Sequence, residues 1–161
     1  MPLDIKYARE VLAQEAETVR ALAGRIGPTF AEAVRLLLEC SGRVVVTGIG
    51  KPGIVGQKIS ATLASTGTPS FFLHSAEAVH GDLGRIARED VVIVLSNSGR
   101  SDEVVRLLPY LKRIGPKTVA ITGDAASPLA EHCDVLLDIG RIEEVCPLGL
   151  APTASALAMM A

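Results

Sequence analysis

With 161 residues, of which 48% are hydrophobic and 21% are charged, the chain can form one folded domain with a sizeable core. A formal net charge of −2 and 3% aromatic residues argue against a nucleic-acid surface, and no apolar run approaches the roughly 20 residues that span a membrane. Cys40, Cys133 and Cys146 are widely spaced, and the N-terminus lacks a signal-peptide pattern, which predicts a cytoplasmic protein with reduced thiols.

Residues 1–42 predict two helices ahead of any strand. Apolar residues recur at three- and four-residue steps over residues 5–26, which is typical of an amphipathic helix of about six turns. Gly27-Pro28 ends this helix, and a second helix is expected over residues 29–40. The apolar face of the first helix predicts packing on the core or on another subunit.

From residue 43 onward, strand-like runs alternate with helical patterns. Strands are expected at 44–46, 70–73, 91–95, 118–122 and 135–139, and a last helix is expected to begin near residues 152–153. Pro109 lies inside the helix after the third strand, where we expect a kink or an interruption. The apolar run 154–161 has no cap, which predicts a piece of a longer chain. Strands joined by helical crossovers run parallel, and ligands bind beyond their carboxyl ends.

The strongest functional signal is the segment 91–108. A buried strand is followed by Ser96-Asn97-Ser98-Gly99-Arg100-Ser101 and then by apolar residues at helical spacing. Free N–H groups at a helix start, together with serine hydroxyls, can bind the oxygens of a phosphate. Ordinary helix capping would explain one or two of these residues, whereas three serines in six positions favour a phosphate site.

The first loop at the same edge has the sequence Gly48-Ile-Gly50-Lys51-Pro-Gly53, which matches GxGxxG after a strand. A dinucleotide site would also need an acid at the end of the second strand, where Leu73-His74 stands, so a nucleotide cofactor is disfavoured. The glycines still predict a tight turn near a ligand. Lys51 is either a surface lysine or a group that binds an anion or stabilises an oxyanion.

Further candidates lie in the other loops of this edge. Glu103 falls in the first helical turn after the serine-rich segment, where an acid also favours the helix dipole. Glu144 follows the fifth strand and can face the same crevice. His74 and His80 are six residues apart, which is no helical metal spacing, so zinc is a minority interpretation.

Together these segments resemble the SIS (sugar isomerase) domain, and most closely the D-arabinose 5-phosphate isomerases of the KdsD/KpsF type. The resemblance is carried by residues 48–51, 65–72, 77–82, 95–99 and 146–153. It implies a single SIS domain over residues 1–161 with a helical extension at 1–42, without the C-terminal CBS domains of the family. The implied fold is a three-layer α/β/α sandwich with a five-stranded parallel sheet, doubly wound as in flavodoxin.

The resemblance also implies interconversion of D-ribulose 5-phosphate and D-arabinose 5-phosphate for Kdo and lipopolysaccharide synthesis, with no required cofactor. It implies a homotetramer and a zinc ion at His74 that inhibits. The catalytic residues would be Lys51, Glu103, Glu144 and His80. The substrate and its phosphate would contact the following residues: Gly50, Gly67, Thr68, His80, Ser96, Asn97, Ser98 and Ser101.

An enediol reaction needs a base, for which a carboxylate with raised pKa is suited, and a group that stabilises the enediolate oxygen. We expect Glu144 to be the base, Lys51 to stabilise the oxyanion and His80 to contact a substrate hydroxyl or relay a proton. Glu103 is the alternative base. The alternative functions are a non-catalytic sugar-phosphate sensor and another sugar-phosphate isomerase of the same fold.

Overall fold

A computed structural model describes residues 5–148 and 151–161. Residues 1–4, part of the expected helical extension, fall outside the described residues. Gly149 and Leu150, which belong to the segment 146–153 that carries part of the resemblance, also fall outside them. None of the described helices combines the length and the hydropathy that a membrane span requires.

The centre of the fold is one sheet of five parallel strands in the order β2-β1-β3-β4-β5, which confirms the expected doubly wound arrangement. β1 and β3 are buried along their whole length because helices cover both faces of the sheet. The strands are β1 (Val44–Gly48), β2 (Ser70–His74), β3 (Val91–Leu95), β4 (Lys117–Thr122) and β5 (Val135–Asp138).

The helices confirm most of the sequence pattern. The first helix ends at Ala23, three residues before the expected end, and the helix after β3 is interrupted just before Pro109, as expected. A 3₁₀ turn covers Asp82–Arg85. The helices are α1 (Ile5–Ala23), α2 (Pro28–Leu38), α3 (Gly50–Ser65), α4 (Ser75–Ala78), α5 (Asp102–Val105), α6 (Leu108–Ile114), α7 (Pro128–His132) and α8 (Ala154–Met160).

Successive strand side chains point to opposite faces of the sheet and build two apolar layers. Val45, Val92 and Val94 pack against α4, α5, α6 and α7 on one face. Val44 and Val46 pack against α2, α3 and α8 on the other face. Each fully buried aliphatic side chain contributes about 1.5–3 kcal/mol, so the two layers hold the α/β/α sandwich together.

α1 lies at the periphery of the second layer: it contains no buried residue, and its half-buried Leu22 packs against that layer. It packs against α8. It is fastened near one end to the end of β5 and near the other to residues 139–145, which we call the strap. Tyr7 Oη donates to the Val145 carbonyl at 2.9 Å, and Arg25, just beyond the helix, donates to Asp138 Oδ2 at 2.7 Å. A cavity of about 360 Å³ separates α1 from the strap.

Candidate functional site

The serine loop, residues 96–101, follows β3 at the carboxyl edge of the sheet. Ser96 is 2% exposed, and its Oγ accepts a hydrogen bond from Gly99 N at 3.1 Å and lies 3.1 Å from Ser101 Oγ. Ser98 is exposed, and its Oγ accepts from Arg100 N at 3.2 Å. Ser101 occupies the N-cap position of α5, but its side chain makes no capping hydrogen bond. Capping therefore does not account for this serine, which favours the anion-site interpretation.

Gly99 and Arg100 fasten the serine loop to residues 123–127, the connection between β4 and α7. Gly99 has φ +62°, and a Cβ at this position would overlap the Ser127 side chain, so both backbone and packing require glycine. The Arg100 guanidinium donates to Asp124 Oδ2 at 3.0 and 3.1 Å and to the Ala126 carbonyl at 2.9 Å. Hydrogen bonds from Ala126 N–H and Arg100 hold the pKa of Asp124 below its usual range.

Lys51 stands in the first turn of α3, directly after β1. The predicted tight turn is confirmed, because a Cβ on Gly53 would lie 3.0 Å from the Gly48 carbonyl oxygen. Gly50 has φ +62° and open space around it. Lys51 is exposed and forms no ion pair with any residue in 5–148 or 151–161, so its ammonium group is available to an anion.

Glu144 lies in the strap and accepts hydrogen bonds from the start of α8. Its Oε2 accepts from Thr153 N at 2.7 Å, Thr153 Oγ1 at 3.1 Å and Ser155 N at 3.3 Å, while Ser155 Oγ donates to Oε1. Burial would raise the pKa of Glu144, but the hydrogen bonds from Ser155 and Thr153 outweigh it and lower the pKa. The raised pKa that would suit a general base is therefore not found at this carboxylate.

Two cavities meet at Asn97. The smaller, of about 70 Å³, is lined by residues that include Lys51, Asn97 and Glu144, and its volume corresponds to roughly two water molecules. The larger, of about 770 Å³, lies beyond the ends of β3, β4 and β5 and has the size of a ligand pocket. The residues lining the larger cavity include Arg25, Asn97, Ser98, Asp124, Asp138 and Arg141.

Other expected site residues share the carboxyl edge but line neither cavity. Glu103 is half-buried in the first turn of α5. His74 ends β2, its Nδ1 accepts from Ala76 N at 3.3 Å, and it caps α4. His80 is exposed just after α4. Within the described ranges no three His, Cys, Asp or Glu side chains gather as metal ligands.

Gly67 and Thr68 lie at the opposite edge of the sheet. α3 leaves the carboxyl edge at Gly50, and its 16 residues carry the chain about 24 Å to the amino edge. The next residue there, Pro69, accepts from Val44 N at the start of β1 at 2.9 Å. Within one protomer these two residues do not meet the serine loop, which corrects the expectation of a single shared site.

Sequence reasoning missed two residues of this edge. Ser127 packs against Gly99 and caps α7, and a serine just before Pro128 is a recognisable capping signal. Ser155 holds Glu144, but nothing in the local pattern of α8 indicates a partner 11 residues away.

The SIS domain family model matches residues 37–161. Arabinose 5-phosphate isomerase KdsD of Pseudomonas aeruginosa is 54% identical over 151 residues, which are 94% of this chain and 46% of that relative. Arabinose 5-phosphate isomerase KpsF of Escherichia coli CFT073 is 44% identical over 161 residues, 99% of this chain and 49% of that relative. The chain spans about half the length of these curated relatives.

A solved structure of an E. coli CFT073 protein in complex with arabinose 5-phosphate superposes with a TM-score of 0.91 at 42% identity. The alignment covers 97% of this chain and 83% of that chain.

Proposed function

The chain belongs to the SIS domain family, and from that premise we propose that it is the catalytic domain of an aldose–ketose isomerase that interconverts D-ribulose 5-phosphate and D-arabinose 5-phosphate. The observation that carries the proposal is the small cavity where Lys51, Asn97 and Glu144 meet beside the serine loop. A sugar-phosphate sensor would need the serine loop but no cation and carboxylate in one cavity.

The reaction moves one proton between neighbouring carbons through an enediol. A base takes a proton from C1 of the ketose, the electron pair forms the C1–C2 double bond, and the C2 oxygen takes the negative charge. A proton then passes from the C1 hydroxyl to the C2 oxygen, and the base returns its own proton to C2 to give the aldose. Glu144 would be the base, Lys51 would stabilise the enediolate oxygen, and His80 would contact a hydroxyl or relay the proton between oxygens.

Geometry favours Glu144 over Glu103 as the base. Glu144 shares a cavity with Lys51, whereas Glu103 lines neither cavity and sits in the first turn of α5, where an acid interacts favourably with the helix dipole. The lowered pKa keeps Glu144 ionised at neutral pH, so it can accept a proton, but weakly. Its basicity would rise when bound substrate weakens the hydrogen bonds from α8.

Ser98, Ser101 and the free amides at the start of α5 would bind the phosphate, Ser96 would hold the turn, and Gly50 and Asn97 would line the sugar. Gly67 and Thr68, at the amino edge, would contact a substrate bound by a neighbouring subunit of a homotetramer. His80, at the carboxyl edge, would contact a substrate bound by its own subunit or by a neighbouring one. Zinc bound at His74 would inhibit by blocking the approach of the neighbouring subunit to the site. No cofactor would be required. The protein would act in the cytoplasm and supply Kdo for lipopolysaccharide.

The test uses the full-length protein incubated with D-ribulose 5-phosphate in D₂O and followed by NMR. We expect arabinose 5-phosphate with deuterium at C2. Binding without exchange would indicate a sensor, and exchange with a different aldose would indicate another isomerase. Unchanged activity in both Glu103→Gln and Glu144→Gln would refute the assignment of the base.

A further inference from the structure

We propose that Ser155 is a positioning residue for Glu144, whose hydroxyl fixes the orientation and the proton affinity of that carboxylate beside Lys51. The inference rests on the proposed function, because it concerns the base of the proposed reaction. It assigns a role to a residue of α8 that does not belong to the serine loop or to the cation–carboxylate pair.

The two oxygens of Glu144 have different surroundings. Oε2 accepts three hydrogen bonds, from Thr153 N, Thr153 Oγ1 and Ser155 N. Oε1 accepts one, from Ser155 Oγ. Oε2 is thus anchored to the start of α8, whereas Oε1 keeps a lone pair and is the oxygen that can take a proton from substrate. The Ser155 hydroxyl is the group that controls it.

The position of Ser155 makes this bond persistent. Ser155 is 2% exposed, so bulk solvent does not compete with Glu144 for its hydroxyl. Ser155 also lines the small cavity together with Lys51 and Asn97. The hydroxyl therefore acts at the place where the reacting carbons would enter.

Other charges around Glu144 stay constant when Ser155 is changed. α8 contributes no charged residue. Burial raises the pKa of Glu144, and the hydrogen bonds from Ser155 and Thr153 lower it by more, so the pKa is lowered overall. Glu144 lines the small cavity and also the cavity of about 360 Å³ between α1 and the strap. The charged side chains that line these two cavities with it are Lys51, Glu17, Arg25, Arg141 and Glu143.

The experiment measures kcat/KM against pH for D-ribulose 5-phosphate with the full-length protein. In Ser155→Ala we expect the acid limb to move up by roughly one pH unit, because one hydrogen bond to the ionised carboxylate is lost. Ser155→Cys keeps the side-chain size with a weak donor and should move it by less. The matched control is Ser60→Ala, a buried helical serine whose Oγ pairs with Ser70 Oγ at 2.9 Å, and it should leave the acid limb in place.

A second readout does not depend on activity. The carboxyl ¹³C signal of Glu144, assigned by its loss in Glu144→Gln, should titrate at higher pH in Ser155→Ala than in the wild type. An unchanged titration, or a moved titration with an unmoved acid limb, overturns the proposal. If Ser155→Ala fails to fold, Ser155→Cys decides by the same criteria. A wild type without isomerase activity refutes the proposed function, while the carboxyl titration still decides whether Ser155 controls Glu144.

Discussion

Two glycines with the same backbone conformation allow the cost of backbone strain to be distinguished from the cost of steric overlap when each is replaced by alanine. Gly50 and Gly99 both have φ +62°. A methyl group at position 50 meets nothing within 4 Å, whereas at position 99 it overlaps Ser127 and comes within 3.0 Å of Thr122 Oγ1. The left-handed conformation costs an L-residue about 1 kcal/mol, and overpacking adds about 1–3 kcal/mol. We therefore expect Gly50→Ala to lower the free energy of unfolding by about 1 kcal/mol and Gly99→Ala by about 2–4 kcal/mol.

Urea denaturation followed by far-UV circular dichroism measures both losses, with the m-value as a check that unfolding stays two-state. Isothermal titration with arabinose 5-phosphate should also show weaker binding in Gly99→Ala, because the serine loop must move away from Ser127. Equal losses of stability in the two variants would refute the reasoning, since the overlap would then have no energetic consequence.

Three further outcomes can be checked on single side chains. Lys51→Met, which keeps the length but removes the charge, should reduce deuterium exchange into ribulose 5-phosphate at least about 100-fold while binding of arabinose 5-phosphate changes little; an unreduced exchange rate would contradict the oxyanion role. Burial would raise the pKa of Asp134, but hydrogen bonds from Thr118 and Lys117 lower it overall. Because the pKa of Asp134 is lower in the folded than in the unfolded state, the carboxylate stabilises the fold above about pH 4, and this contribution is lost as the pH falls through the lowered pKa. Asp134→Asn should therefore cost more stability at pH 7 than at pH 3, as measured by urea denaturation. Burial raises the pKa of the Cys133 thiol to about 11. Iodoacetamide at pH 8 should thus label Cys133 in urea but leave it unlabelled in the folded protein, as mass spectrometry would show.

The sheet and its functional edge could be predicted because they depend on local pattern. Val91–Leu95 is a short apolar run, rich in β-branched residues, that is typical of a strand covered on both faces, and Pro109 cannot continue a helix without losing a backbone hydrogen bond. Parallel topology then places every loop after a strand at one edge. In the structure Lys51, Asn97 of the serine loop and Glu144 share one cavity, whereas His80 and Glu103 do not line it.

The details of the site depend on contacts between distant parts of the chain. A raised pKa suits a general base, but the pKa of Glu144 is lowered by hydrogen-bond donors nine and eleven residues later, in a segment whose sequence pattern predicts only an apolar helix. Local sequence also does not predict the pairing of Arg100 with Asp124, which is 24 residues away. The position of Gly67 and Thr68, by contrast, follows from the topology, because a segment that comes after a crossover helix lies at the amino edge of the sheet.

The attachment of α1 has a consequence for the order in which the molecule loses its structure. With no buried residue, the helix is held by its packing on α8, by the half-buried Leu22 and by the hydrogen bonds of Tyr7 and Arg25, so its local opening costs less free energy than unfolding of the sheet. Amide hydrogens of α1 exchange in such openings while those of β3 stay protected. Because Tyr7 bonds to Val145, the neighbour of Glu144, opening of α1 removes one anchor of the strap while the parallel sheet is still intact and Thr153 and Ser155 still hold the carboxylate.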